Sequence, residues 1–580
     1  MKPFDHNKFL GYVSEVTPQY VKVQFPNAKL LQTFYYSGQV YFGGNVGSFV
    51  VIEGAQYGFL GRVFEINLPQ GEKIEITEER MTDETHDFHP MAQIELLALF
   101  DVYHPETISK SVSRYPSIGA KVYSCSDEQM SNYIKRFGQK EEEKDLPYAQ
   151  LGKLTTNDAD CKVSLNALFG RHCAVLGTTG GGKSWTVAKL LEIVSSKSSN
   201  KAILIDATGE YSTITQGVEN VTIGSGDNVF SYRKLSIDEL YYLLRPSSKT
   251  QVPKLKEAIR SLKMLELDKN DELKLYKEAY TDGKTKEIKY RSNQLKKAQN
   301  EKRAFQEFYY KHIEEIESDN CDFEITNLPR QITNECVRDT DWDNPKKWGG
   351  RADQDVANCI SLISRTNNII NTAEYDKIFG FKNRKDGSQP KDITNIIDEF
   401  LNGNLQILRF DFSNVSFDYQ VREILVNAIG KYLLRKARKG DFKQAPVIVF
   451  IDEAHQFLNK SIADEYFVAK PLDAFEQISK EARKYGLFLC ISTQMPRDIP
   501  LGTLSQMGTF IVHRLINDFD KKAVESAASA ANRNILSFLP VLGQGEAILM
   551  GVDFPMPLIL KIDEPSYKPD SNTPQLSIRK

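Results

Sequence analysis

The sequence predicts an α/β protein: a buried, mostly parallel sheet, preceded by a small β-barrel and interrupted by a helical insertion. Three observations predict it. From about Leu151 onward, continuous apolar runs alternate with helical patterns, as in sheets covered on both faces. One of those runs leads straight into a glycine-rich loop followed by a helical pattern. The first hundred residues instead carry short strands separated by glycines, which suggests a barrel.

In the N-terminal part, Val21, Val23 and Phe25 alternate with polar residues. Phe59–Ile66 and Ile74–Ile76 read as further strands. Gln139–Asp145 (QKEEEKD) is a charge run that reads as a solvated linker. Seven strands are expected beyond it: 172–176, 202–205, 405–412, 447–451, 487–492, 509–514 and 546–550. Between Ser236 and about Pro345 the periodicity is helical. Leu255, Ala258, Ile259 and Leu262 form one apolar stripe, and Phe305, Phe308, Tyr309, His312, Ile313 and Ile316 another. The expected division is a β-rich domain at 1–130, a linker at 131–150, and the sheet domain at 151–235 and 346–565. The helical insertion fills 236–345, and a polar tail follows at 566–580.

With 580 residues the chain is too long for one core. The start, MKPFDHNKF, has no apolar stretch of the signal-peptide kind, and the longest apolar runs are strand-sized, so no membrane segment is expected. Seven scattered cysteines without a CxxC fit a reducing, cytoplasmic setting. The net charge of −3 does not favour a nucleic-acid partner, although a ring can enclose a basic pore within an acidic exterior.

The chemistry is concentrated in two segments. Gly177-Thr178-Thr179-Gly180-Gly181-Gly182-Lys183-Ser184 fits GxxxxGK[ST] between an apolar strand and a helical pattern that begins at Trp185. Glycines let several backbone N–H groups turn toward a phosphate, and a helix N-terminus adds positive potential. Lys183 is expected on the β- and γ-phosphates, and the Ser184 hydroxyl on Mg²⁺. Val447–Ile451 then ends in Asp452-Glu453. Asp452 is expected to take Mg²⁺ through a water, and Glu453 to orient and deprotonate the attacking water. Gln494, after the run 487–492, is placed to touch the γ-phosphate. Guanine specificity usually shows as [NT]-K-x-D, which is absent, so ATP with Mg²⁺ is the expected ligand. His172 and His455 flank these motifs without metal-ligand spacing and read as packing residues.

Four stretches together resemble the HerA family of hexameric DNA translocases, within the HerA/FtsK group. They are Arg171–Ser184, Ile205-Asp-Ala-Thr-Gly-Glu-Tyr211, Ile451-Asp-Glu-Ala-His455, and Glu481-Ala-Arg-Lys-Tyr-Gly486 with Ser492-Thr-Gln-Met-Pro496. The resemblance implies a RecA-like P-loop NTPase core, an N-terminal HAS-barrel, and a homo-hexamer with ATP between subunits and double-stranded DNA in the pore. It implies an arginine acting on the neighbouring subunit's nucleotide, for which Arg483 is the candidate, with Arg171 a second candidate near the nucleotide. It leaves the roles of Asp206 and Glu210 open. It also implies a separate nuclease or sirtuin-like effector docked on the barrel, in DNA-end processing or antiphage defence. Met495 stands where the family often has Arg, and the helical insertion is atypical. Basic clusters that could face a pore are Arg435–Lys439 and Lys460. Two other readings fit the same motifs: an ATP-binding scaffold that activates an effector with little translocation, and a conjugation- or segregation-type DNA pump.

Overall fold

The computed structural model describes residues 3–571, apart from 37–38, 43, 75, 77–86, 106–107, 110–113, 136, 139–147, 157, 248, 282–287, 292, 384–388, 459–470 and 529–532. The QKEEEKD run and Lys460 lie outside the described residues.

Six N-terminal strands close into a barrel. In ring order they are Val21–Gln24, Phe9–Val16, Lys121–Ser124, Phe49–Ile52, Tyr57–Asn67 and Met91–Asp101, and pairing of Val21 with Ile94 closes the ring. Leu10, Val23, Val50, Ile52, Val63 and Ile94 fill it. The expected strand Ile74–Ile76 is absent. Ile74 instead ends a helix, Gln70–Ile74, and Ile76 is exposed. Two apolar residues at spacing two carry no strand without a neighbouring edge to pair with.

The main sheet has eleven strands: β1 Tyr148–Leu154, β2 Asp160–Ser164, β3 Cys173–Leu176, β4 Lys201–Asp206, β5 Val218–Thr222, β6 Ile407–Asp411, β7 Val447–Ile451, β8 Leu487–Thr493, β9 Thr509–Val512, β10 Glu546–Gly551 and β11 Leu558–Ile562. Their spatial order is β2-β1-β11-β10-β9-β3-β8-β7-β4-β6-β5. From β9 to β5 all pairings are parallel, and the other flank is antiparallel. All seven expected strands are in this sheet. β3, β7 and β9 are buried at every position, which accounts for their unbroken apolar runs.

Two apolar layers cover the sheet. One joins it to helices such as α2, Val421–Lys439. The other joins helix α1, Lys183–Lys197, to the barrel, with Phe49, Phe100 and Tyr123 in the same cluster as Leu168 and Leu191. Helix Asp127–Ile134 spans the expected boundary at residue 130 and buries Met130 and Tyr133 in that layer.

The helical excursion leaves the sheet after β5 and contains the helices Ile237–Leu244, Gln251–Leu267, Arg303–Lys311 and Leu328–Glu335. It runs past residue 345, with three more helices from Asp353 to Asn402 before β6. The Leu255 stripe is buried, as are Phe305, Phe308 and Ile316. Ile313 is 40% exposed, because the helix breaks at His312 and turns that face outward. In the Arg435–Lys439 cluster, Arg438 pairs with Glu481 and Lys436 with Asp398 and Asp441. Among the described residues no helix is long and apolar enough to cross a membrane.

Candidate active site

The site forms where β3, β7, β8 and β4 end on one edge of the sheet. β3 delivers the chain into Gly177–Gly182, and α1 begins at Lys183. Gly177 lies so close to β9 that an added Cβ would stand 2.6 Å from the His513 Cβ. Gly180 and Gly182 adopt φ of +74° and +114°, a region that L side chains avoid. The loop therefore curls tightly over the start of α1, whose free N–H groups and dipole favour an anion.

Polar contacts fix the loop from both sides. Thr178 donates its N–H and its hydroxyl to the Arg514 carbonyl, at 2.9 and 3.1 Å. The Thr179 hydroxyl donates to Gln494 Oε1, tying the loop to the end of β8. The Lys183 ammonium reaches back across the loop to the Thr178 carbonyl, 3.3 Å away. Burial lowers the Lys183 pKa, opposed by Glu453, Asp452 and Glu210. Ser184 stands in the first turn of α1. Trp185 lines a cavity of about 570 Å³ beside Gly182 and Gly545, and the Lys568 ammonium lies 5.7 Å from its ring centroid.

Three acidic residues reach the same place. Asp452 is 3% exposed, and its carboxyl is pushed up to about 7, first by burial and then by the neighbouring Glu453. Glu453 adopts a left-handed backbone, φ 45° and ψ 47°. This conformation costs a non-glycine residue about 1–3 kcal/mol, and such strain clusters at functional sites. Its Oε2 is buried and lies 3.2 Å from His455 Nδ1 without hydrogen-bonding alignment; that nitrogen is also 3.1 Å from the Thr493 hydroxyl. Glu210 has one buried oxygen, also without a hydrogen-bond partner.

Asp206 has a different task. Its carboxylate accepts from the N–H groups of Thr208, Gly209 and Tyr211 and from Arg409 Nε at 2.8 Å. It folds the turn that presents Glu210.

The structure thus brings Gly177–Trp185, Asp452, Glu453 and Gln494 together, and it adds Glu210. It does not bring Arg171 to the phosphate loop. β3 carries the chain about 13 Å between them, and Arg171 Nε pairs with Asp553 at 2.7 Å on the opposite edge of the sheet. Nearness in sequence misleads here, because a strand separates its two ends. Arg483 lies on that same far edge, exposed in the turn before β8, so it too is remote from this chain's own loop. His172 is buried there and accepts from the Leu489 N–H, a packing role.

Sequence reasoning missed His513, which follows β9 directly under the loop. Its Nδ1 lies 2.8 Å from the Glu546 carbonyl and its Nε2 2.8 Å from the Thr186 hydroxyl. Its only sequence signal is a histidine at a strand end, and the β3–β9 pairing that makes it matter is non-local.

The residues fit a bound Mg²⁺. The buried Asp452 carboxyl stands next to Glu453 and feels the charge of Glu210, and Glu453 and Glu210 each keep one buried oxygen without a hydrogen-bond partner. Ser184 and Asp452 are the residues that would hold the metal.

Two family models match the chain, described as the central domain of helicase HerA, over residues 149–338, and as a helicase HerA-like C-terminal domain, over residues 432–558. A probable helicase of Methanocaldococcus jannaschii is 22% identical over 97% of this chain and 91% of its own length. The DNA double-strand break repair helicase HerA of Sulfurisphaera tokodaii is 26% identical over 74% of this chain and 71% of its own. Among solved structures, VirB4 of Thermoanaerobacter pseudethanolicus aligns with 72% of this chain and 97% of its own, at 14% identity and a TM-score of 0.45. With both family models matched in order, across the loop, the Asp452-Glu453 strand end and the Gln494 edge, the chain belongs to the HerA helicase family.

Proposed function

We propose that this protein is an ATP-hydrolysing double-stranded DNA translocase that works as a homo-hexameric ring in the cytoplasm. The observation that carries the reading is the convergence of Lys183, Asp452, Glu453 and Gln494 on one glycine loop, in a chain of the HerA family.

The loop N–H groups and Lys183 bind the phosphates. Mg²⁺, when bound, neutralises charge on the β- and γ-oxygens. Glu453 takes the proton of the attacking water. Gln494, already joined to Thr179, senses the γ-phosphate and passes its loss to β8. The cavity beside Trp185 lies where the nucleoside end leaves the loop. Arg483 serves the neighbouring subunit's nucleotide, a role consistent with its distance from its own. DNA contacts are to phosphates, so affinity falls steeply with salt.

The test is steady-state ATP hydrolysis with and without linear double-stranded DNA, with Lys183→Ala as the blank. DNA should stimulate turnover in the parent and not in the variant. Turnover indifferent to DNA would remove the translocase and leave the scaffold.

The effector, a nuclease or sirtuin-like enzyme in DNA-end processing or antiphage defence, docks on the barrel in this reading. Deleting the barrel is a poor test, because it would strip Phe49, Phe100 and Tyr123 from a core shared with the sheet domain. Tyr103 and Ile118 are 79% and 72% exposed on the barrel. Tyr103→Glu with Ile118→Glu is expected to weaken effector capture and leave ATP turnover unchanged. Capture at parent strength would move the docking face elsewhere.

A further inference from the structure

We propose that Glu210 is a second catalytic carboxylate of the hydrolytic site, holding the attacking water together with Glu453. The inference deepens the ATPase reading and rests on it.

The placement follows from strand order. β4 pairs in parallel with β7, with Ile205 beside Ile451, so both strands end on the same edge of the sheet. Asp452 donates its N–H to the Ile205 carbonyl at 3.0 Å, which locks the two ends together. Asp206 then gathers three backbone N–H groups and the Arg409 guanidinium. Its lone pairs are spent on building a turn. Gly209, at φ +85°, completes that turn, and Glu210 follows it into the site.

Glu210 differs from Asp206 in what it lacks. One of its oxygens is closed off from solvent and receives no hydrogen bond. Lys183 and Asp452 both feel its charge. A buried carboxylate oxygen without a donor costs about 1–3 kcal/mol or more, so this one is poised to accept from a donor that arrives. At this place the arriving donor is water beside the γ-phosphate.

The turn is also braced from behind. The Asp570 N–H donates to the Glu210 carbonyl, and the Thr213 hydroxyl to the Lys568 carbonyl, both at 2.8 Å. Lys568 lies against Trp185, and the Ser566 N–H meets Glu192 Oε2 on α1. The C-terminal segment therefore holds the turn against the helix that follows the phosphate loop. Such support is what a group needs if it must hold water in one orientation.

In the step itself, the water oxygen bonds to the γ-phosphorus and the bond to the β,γ-bridging oxygen breaks, releasing ADP. One water proton passes to Glu453. Glu210 accepts a hydrogen bond from the other hydrogen and so aims the oxygen lone pair at phosphorus.

The test measures kcat for the parent, Glu210→Ala, Glu210→Gln and Glu453→Gln, with ATP affinity and melting temperature measured alongside. Glu210→Ala is expected to lower kcat by about 100-fold, the worth of a lost orienting contact, while ATP affinity stays near the parent's and the melting temperature does not fall. Glu210→Gln should recover part of the loss, because its amide oxygen still accepts from water. Adding Glu210→Ala to Glu453→Gln should cost little more, since residues acting on one water are not additive. Glu210→Ala turning over like the parent would overturn the assignment, as would losses confined to affinity or melting temperature. A parent no faster than Lys183→Ala would remove the ATPase reading and this inference together. A fast parent with a fast Glu210→Ala removes the inference alone.

Discussion

Glu453→Gln is expected to lower ATP turnover by about 100- to 10,000-fold, the usual worth of a general base, or about 3–5 kcal/mol of barrier. The reason is local. Glu453 holds a strained left-handed backbone at the end of β7, and its Oε2 is buried without a hydrogen-bond partner. Glutamine keeps the shape but cannot take a proton. The phosphate loop, Lys183 and Asp452 are untouched, so nucleotide binding should persist. The variant should therefore elute from a sizing column with ATP still bound, where the parent carries ADP. Turnover within tenfold of the parent would place the base elsewhere, with Glu210 the first alternative. The same variant divides motor from scaffold. A motor stops with its ATP in place, whereas a scaffold that needs only bound ATP continues to activate its partner.

Much of the site was legible because its chemistry is local in sequence. The loop Gly177–Ser184 and the strand end Asp452-Glu453 each occupy a few consecutive residues, and each follows an apolar run buried on both faces. β1, β2, β5 and β11 were missed for the converse reason. They lie on the sheet's flanks and are only partly buried, as in VENVT at β5 with one fully buried position. Arg171 was misplaced because six residues of sequence here include a strand that ends on the other side of the sheet. Asp206 and Glu210, four residues apart, look alike in sequence. Only the hydrogen bonds separate them, one saturated by the turn and Arg409, the other open. His513 needed the β3–β9 pairing, which no local pattern carries.

That histidine carries the second large effect. A carbonyl only accepts, so His513 Nδ1 bears the proton donated to Glu546, and Nε2 accepts from the Thr186 hydroxyl. The neutral ring satisfies both nitrogens without placing a charge in the buried site. Burial, with Lys183 nearby, pushes its pKa down to about 4. His172, buried on the far edge, is likewise pushed down to about 4 by burial. Unfolded, each titrates near 6.5. Between pH 6.5 and 4 the unfolded chain thus binds protons that the native chain refuses. Stability is full above about 6.5 and is lost as pH falls, by about 1.4 kcal/mol per pH unit and about 3 kcal/mol per histidine across the window. His513→Ala should cost about 3–5 kcal/mol at neutral pH, through a buried cavity and unpaired groups on Thr186 and Glu546. It should also weaken ATP binding, because the ring lies beside Gly182, where an added Cβ would stand 3.3 Å from its Cε1, and holds Thr186 in the helix that follows the loop. His513→Gln, with an amide in place of the ring, is the sharper probe. Its urea midpoint, followed from pH 7.5 to 4.5, should fall less steeply than the parent's by one histidine's share, since carboxylates and His172 contribute equally to both. Parallel curves would mean that His513 is already protonated or solvated in the native site, and the support it gives the phosphate loop would have to come from its backbone alone.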